Sequence, residues 1–410
     1  MMLSTDTGAS DSLRARDSMV NCQVLWDAPL GADSLRIVYV AVKNLNTGKK
    51  KRNQTLQRVL VVVLSIAVLV GFVLFDKDVQ RLDNVLAAMS PWWLIGALLC
   101  VLLYFLGDTT MYLIACRDMG ARQPFFEGLI TTMIGFFYSA LTPLASGGQP
   151  FQVIQMRARG INVGTATSVL MVKFMAWHIA MSIVGALGFI FCGQMLLNES
   201  STMFVMFIVG YLLHALCAAA GFLLMLRPAL VQRAGNAVVG FLGRLLFRRK
   251  PERTGRIQKV WDGFVSDYKQ AVAFAVRHRM GMLCIVLTAL TEVLAYLGTT
   301  WFVYRGLGLD GVGFWTMTLM QAALSISVAF VPLPGASIAT EGGFYAVFTR
   351  FFGEARLVGM LIWRALTYYL AILLGLAAVL IDGLRKNVRT SGDERTGELK
   401  NVSGGEMERF

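Results

Sequence analysis

The sequence predicts an all-α integral membrane protein, with about six full transmembrane helices and two oppositely oriented re-entrant (broken) helical hairpins that form an inverted repeat. Three observations predict this fold class. Hydrophobic residues make up 56% of the 410-residue chain, and several apolar runs reach the roughly 20 residues that cross a bilayer. Basic residues concentrate between those runs. Two further apolar stretches are broken by prolines and glycines at corresponding places in the two halves of the chain.

Polarity divides the chain into three regions. Residues 1–55 form a polar tail, residues 56–385 a membrane domain, and residues 386–410 a second polar tail. Trp92 and Trp93 are typical of the interfacial aromatic residues that open a span. The six expected spans are 56–75, 92–116, 163–191, 203–226, 282–303 and 357–381.

The net charge of +13 is concentrated outside the spans, and the loop 227–280 holds twelve Lys or Arg against three acidic residues. Since such loops stay on the cytoplasmic side, we expect this loop and both termini in the cytoplasm of a bacterial cell. Basic segments attract anionic headgroups. Membrane lipids, either an anionic phospholipid or a polyprenyl-linked lipid, are therefore the expected partners, and nucleic acid is not. Apolar residues at helical spacing over 260–272 predict an amphipathic helix on the membrane surface.

The sequence LTPLASGGQPF at 141–151 cannot continue a membrane helix, because it holds two prolines and two adjacent glycines. A second such stretch, VPLPGASIATEGGF, occupies 331–344. Arg157 and Arg159 follow the first break after a short return, which predicts a hairpin that enters and leaves on the cytoplasmic side. The second hairpin must then enter and leave on the other side. Irregular backbone at this depth has to be buried in protein or line a wet cavity.

Spacing supports an inverted repeat independently of topology. The threonine pair that ends at Thr110 precedes Pro143 by 33 residues, and the pair that ends at Thr300 precedes Pro332 by 32. From each proline to an intramembrane cation, Lys173 or Arg364, there are 30 and 32. Such repeats place the substrate site near the midplane, at the broken helices.

The residues around both breaks are candidates for binding an anionic headgroup. Lys173 and Arg364 fit an anion clamp for a lipid phosphate, although snorkelling to the interface or an ordinary salt bridge would also explain them. Hydroxyl and amide donors of the first break suit phosphate oxygens, but helix breaking needs the same residues. The candidate substrate-binding residues are Thr142, Ser146, Gly147, Gly148, Gln149, Lys173, Gly335, Glu341, Arg364 and Tyr368.

Four titratable residues are candidates for coupling to protons: Glu341, Asp108, Glu292 and His178. Glu341 either pairs with Arg364 or Lys173 or simply favours a helix N-terminus, and a lone His178 equally suits packing. Six cysteines and three histidines are scattered through the chain without ligand spacing, so no metal site and no cofactor are expected.

At the breaks the chain resembles the lysylphosphatidylglycerol synthase transmembrane-region family, the flippase-like membrane domain of multiple-peptide-resistance-type proteins. The resemblance implies a polytopic domain that moves a phospholipid or lipid-linked headgroup between leaflets. Two departures are Gln149, where an acidic residue is common, and Lys173, where Arg is expected. The resemblance rests on Thr142-Pro143-x-x-Ser146-Gly147-Gly148 and Pro150, then Pro332-x-Pro334-Gly335 leading to Glu341, Arg364 and Tyr368-Tyr369.

Three function classes remain open. The first is a lipid translocase; the second is the membrane subunit of a phosphatidylglycerol lysyltransferase, or of another headgroup transferase whose catalytic domain is a separate soluble chain. The third is a scaffold. The basic loop is too short to form an enzyme domain of its own, and a homo-oligomer stays open. ATP-driven transport by this chain is not expected, because the sequence contains no GxxxxGK[ST] motif.

Overall fold

The computed structural model describes residues 89–385 except 247–250, Pro334 and Ser337. These residues are mostly helical, and none of them lies in a strand. The helices are α1 (Pro91–Asp118), α2 (Phe125–Ala140), α3 (Gly148–Ala158), α4 (Val163–Glu199), α5 (Ser201–Leu226), α6 (Pro228–Leu246), α7 (Pro251–Arg277), α8 (Arg279–Gly306), α9 (Phe314–Val328), α10 (Ala339–Phe352), α11 (Arg356–Arg364) and α12 (370–385).

Five helical stretches are long and apolar enough to cross a membrane: α1, α4, α5, α8 and the stretch from α10 to α12. Five of the six predicted spans fall within them, and the chain is a multi-pass helical membrane protein. The remaining predicted span, 56–75, and both polar tails lie outside the described residues. Two shorter apolar helices, α2 and α9, are the segments that precede the predicted breaks.

Helices α1 and α8 pack antiparallel along their whole length. Trp93 meets Trp301 at one end, with 5.4 Å between ring centroids. At the middle, a Cβ on Gly107 would lie only 3.2 Å from the Cβ of Glu292. Glycine there lets the two helices approach closely, which brings polar side chains of both into the centre of the bundle.

The first break separates α2 from α3. Leu144 and Ala145 have φ values of 54° and 53°, a left-handed conformation that costs about 1–2 kcal/mol in a non-glycine residue. The chain then turns so tightly that a Cβ on Gly148 would lie 2.0 Å from the Ser139 hydroxyl. The turn brings α3 back along α2, so only glycine fits at position 148.

The second break separates α9 from α10 and also contains left-handed residues, Gly335, Ala336 and Ile338. The first residue of α9, Phe314, lies 5.5 Å from Trp301 between ring centroids. The last residue of α10, Phe352, lies 5.4 Å from Tyr304. Both outer ends of this broken segment are therefore near the C-terminal end of α8.

The basic loop contains two helices, α6 and α7. The amphipathic helix predicted over 260–272 is part of α7, but its apolar face packs partly on protein rather than on lipid. Tyr268 is 1% exposed, and its hydroxyl donates to the Leu224 carbonyl at 3.4 Å. Burial raises the pKa of Tyr268, which keeps the hydroxyl protonated as a donor. At the other end of the bundle, Glu199 ends α4 and pairs with Arg350 at 3.0 Å.

Candidate functional site

The first polar cavity, of about 200 Å³, lies at the crossing of α1, α4 and α8. Lys173 on α4 forms an ion pair with Asp108 on α1, with 2.6 Å between Nζ and Oδ2. Glu292 on α8 lines the same cavity. Three charged side chains from three helices thus meet inside the membrane domain, which is costly unless they pair or serve a ligand.

The carboxylate of Glu292 is the unbalanced charge of this cavity. The residue is 1% exposed, and its Oε2 atom has no hydrogen-bond partner among the described residues. Two carboxylates therefore face one ammonium group. An unpaired buried charge is strongly unfavourable, so Glu292 is the group of this cavity that lacks a counter-charge among the described residues.

The second polar cavity, of about 280 Å³, lies beside the second break. Arg364 Nη2 is 2.6 Å from Glu341 Oε1, and Arg364 Nε donates to the same oxygen at 2.7 Å. Nη2 also donates to the Gly335 carbonyl at 3.2 Å. The guanidinium carbon lies 4.7 Å from the centroid of the Tyr368 ring. The pairing proposed between Glu341 and Arg364 is present, and it fixes the guanidinium against the break.

A π-helical turn over Ala365–Tyr369 follows Arg364 directly. Such turns occur mostly as single insertions at functional sites. The turn carries Tyr368, whose hydroxyl donates to the carbonyl of Ala140, the last residue of α2, at 3.1 Å. One residue of the second half therefore contacts both breaks.

The two cavities adjoin each other. Tyr104, Phe136 and Ser139 line both of them, and the rings of Tyr104 and Phe136 lie 5.1 Å apart between centroids. These two rings form a partition between the cavities. Sequence analysis missed it because aromatic residues in apolar helices resemble ordinary core residues. The matching spacings around the two breaks could have indicated that the two sites lie close together, but not which rings lie between them.

Several hydrogen-bond donors that were predicted to bind phosphate at the first break are instead bonded within the break itself. The Gly147 amide donates to the Thr142 hydroxyl at 2.8 Å. The amides of Ser146 and Gly148 donate to carbonyls of the same turn. Ser146 is exposed, and Gln149 lines the first cavity. Phosphate binding by these residues stays a prediction.

His178 lies outside both cavities. Its Nδ1 atom is 2.9 Å from the Phe174 carbonyl, and its ring is 4.9 Å from that of His214. Sequence analysis missed His214, a 4% exposed residue whose two ring nitrogens have no partner among the described residues. Its ring contacts Phe330 of the second break at 5.2 Å.

An ionic cluster holds together the start of α2, the end of α3 and α12. Arg159 Nη2 lies 2.6 Å from Glu127 Oε2 and 3.7 Å from Asp382 Oδ1. Arg385 adds a contact to Glu127 at 3.1 Å. The two outer ends of the first broken segment are thereby fixed to each other. No group of three or more His, Cys, Asp or Glu suited to a metal occurs in the part of the chain that the structure describes.

Comparison with known proteins gives two findings. A family model described as lysylphosphatidylglycerol synthase TM region matches residues 59–375. A UPF0104 membrane protein of Archaeoglobus fulgidus is 27% identical over 110 residues, which are 26% of this chain and 33% of that protein. The match therefore spans about a third of the length of that relative.

Proposed function

The chain belongs to the lysylphosphatidylglycerol synthase TM-region family, and on that premise we propose that it moves a lipid with an anionic or modified headgroup between membrane leaflets. The observation that carries the proposal is the pair of adjoining polar cavities, of about 200 and 280 Å³, inside an otherwise apolar helical bundle. Each cavity contains the basic side chain of one half, Lys173 or Arg364. Ionisable side chains that line cavities inside a membrane domain are costly, and they commonly mark substrate or ion pathways.

The helix order supports an inverted repeat. Helices α8, α9, α10 and α11 begin 188, 189, 191 and 193 residues after α1, α2, α3 and α4 respectively. A nearly constant offset over four helices is the pattern of a duplicated unit. Lys173 and Arg364 differ by 191 residues, an offset in the same range, which supports equivalent positions in the two units.

The helix ends support hairpins of opposite orientation. The outer ends of the α2–α3 segment are joined by Glu127 and Arg159, and a Cβ on Gly128 would contact Leu113, near the C-terminal end of α1. The outer ends of the α9–α10 segment lie near the C-terminal end of α8. Since α1 and α8 are antiparallel, the two segments enter the bundle from opposite sides. The proposal places both termini in the cytoplasm.

In the proposed mechanism, the headgroup enters between the breaks while its acyl chains stay in lipid. Arg364 Nη1 forms no hydrogen bond with the described residues, so it can donate to a phosphate oxygen without releasing Glu341. Lys173 is neutralised by Asp108 and becomes available to an anion when Asp108 takes up a proton. The partition formed by Tyr104 and Phe136 separates the two positions of the headgroup.

Reconstitution of the full chain into liposomes tests this proposal. A headgroup-labelled phosphatidylglycerol is placed in both leaflets, and a membrane-impermeant quencher reports which molecules reach the outside. We expect Arg364→Ala and Glu341→Gln to slow transfer about ten-fold or more, because a charge-assisted hydrogen bond contributes roughly 1.5–3 kcal/mol.

Arg122→Ala is the matched control, because Arg122 is exposed and its side chain forms no ion pair among the described residues. Wild-type protein that moves no lipid of several headgroup classes would refute the proposal. If the same protein yields modified lipid once a soluble partner is added, the chain is instead the membrane subunit of a lysyl or other headgroup transferase.

A further inference from the structure

A third cavity, of about 360 Å³, lies between α4, α5 and α8 and shares no lining residue with the two polar cavities. Its α4 wall is formed by Val172, Met175, Ala176 and Ile179. This spacing of three and four residues defines one helix face. Lys173, which lines the first polar cavity, is turned about 100° around α4 from Val172. One helix therefore separates the polar path from this third cavity.

The third cavity is apolar except at one end. Phe222 and Met225 of α5 and Met282 and Ile285 of α8 complete most of the wall, and no acidic residue lines it. The one charged lining residue is Arg279. It is exposed, and it forms none of the ion pairs found among the described residues.

Arg279 lies where a lipid headgroup would be. It is the first residue of α8, at the point where a candidate membrane span begins. Leu226, another lining residue, ends α5 and is followed by the exposed Arg227. Arg279 thus lines the end of the cavity at the edge of the apolar region, and Arg227 directly follows a lining residue. Juxtamembrane basic residues of this kind attract anionic headgroups.

We propose that this cavity is a second lipid site, separate from the two polar cavities, which holds an anionic phospholipid. One acyl chain fills the space between the methionines, and the phosphate contacts Arg279. A zwitterionic or neutral lipid would satisfy the apolar wall equally well but would leave the cations without a net negative partner. The apolar wall and the basic end together therefore select an anionic phospholipid.

The proposed lipid site lies next to the contacts that α7 makes with α4 and α5. Tyr268 of α7 donates to the Leu224 carbonyl and lies 3.3 Å from the Met171 sulfur. The two contacted residues, Leu224 and Met171, are adjacent in sequence to the lining residues Met225 and Val172. A bound lipid would thus pack against α4 and α5 next to the place where α7 contacts them. The lipid stabilises the helix that carries Lys173 from its outer face.

Photolabelling tests the site directly. The purified full chain is irradiated with phosphatidylglycerol carrying a photoreactive acyl chain, and labelled peptides are identified by mass spectrometry. We expect adducts on peptides containing Met175, Met225 or Met282. Arg279→Ala should lower that labelling about five-fold, which corresponds to ~1 kcal/mol for one basic contact. Ala176→Phe should block it by filling the cavity.

The controls separate this site from general lipid contact. Arg122→Ala removes the same charge elsewhere and should leave labelling unchanged. Each variant is checked for an unaltered elution volume and helix content. Equal labelling by photoreactive phosphatidylcholine, or full labelling of Arg279→Ala, would overturn the proposal of an anionic site. Labelling at this cavity is measured without transport, so it stands or falls separately from the translocase proposal.

Discussion

The ion pair between Arg364 and Glu341 offers the sharpest test of the site, through three variants: Arg364→Met, Glu341→Leu and the double substitution. The two side chains are 6% and 2% exposed. Removing one partner leaves the other charge buried and uncompensated, which costs about 3–5 kcal/mol. Either single variant should lose that amount of unfolding free energy.

The double variant should be destabilised far less than the sum of the two single variants. It abolishes both charges, so its main losses are the hydrogen bond to the Gly335 carbonyl and the contact of Arg364 with the Tyr368 ring. A hydrogen bond from a charged donor contributes roughly 1.5–3 kcal/mol, and the ring contact roughly 0.5–2 kcal/mol. The double variant should therefore cost about 2–5 kcal/mol, below the roughly 6–10 kcal/mol of the two single variants together. Denaturant unfolding in detergent, followed by circular dichroism, measures all three.

The exposed pair Arg350–Glu199 is a matched control in the same protein. Its arginine side chain is 68% exposed, at a similar distance of 3.0 Å. Arg350→Met should cost no more than about 1 kcal/mol. If the unfolding free energies lost in the two single variants add up to the loss in the double variant within about 0.5 kcal/mol, the assigned pair is refuted.

Two further predictions concern the first cavity and the first break. Glu292→Gln removes the unbalanced carboxylate of the first cavity, so it should not destabilise the fold. It should abolish any response of lipid transfer to a pH gradient imposed across liposomes. A response equal to that of wild type would exclude Glu292 as the coupling group. Gly148→Ala should lower the unfolding free energy by about 1–3 kcal/mol, because its Cβ would lie 2.0 Å from the Ser139 hydroxyl. Gly263→Ala, on α7 with open space around it, should instead be neutral or stabilise by up to about 1 kcal/mol, and an equal loss in both variants would contradict the packing argument.

Much of the membrane domain was predictable because its signals are local. A long apolar run predicts a span whatever surrounds it, and five predicted spans correspond to long apolar helices. Proline and glycine mark both breaks, since no regular helix accommodates them. The pairing of Glu341 with Arg364 was among the predicted alternatives, because a buried charge needs an opposite charge nearby.

Other parts of the site depend on contacts between distant residues. Arg159 meets Asp382 across 223 positions of sequence, and no local pattern connects them. Tyr104 and Phe136 separate the cavities only because α1 and α2 bring the two rings together. For α7, the amphipathic pattern predicted an apolar face but not whether lipid or α4 covers it.

The hydrogen bond from Tyr368 to the Ala140 carbonyl has a mechanical consequence. The break after α2 deprives that carbonyl of the amide that would continue the helix, so Tyr368 of the opposite half acts as its cap. Moving Tyr368 away from α2 would leave this carbonyl uncapped, at about 0.5–1.5 kcal/mol. The end of α2 is thus energetically linked, through a single phenol, to the π-helical turn that follows Arg364.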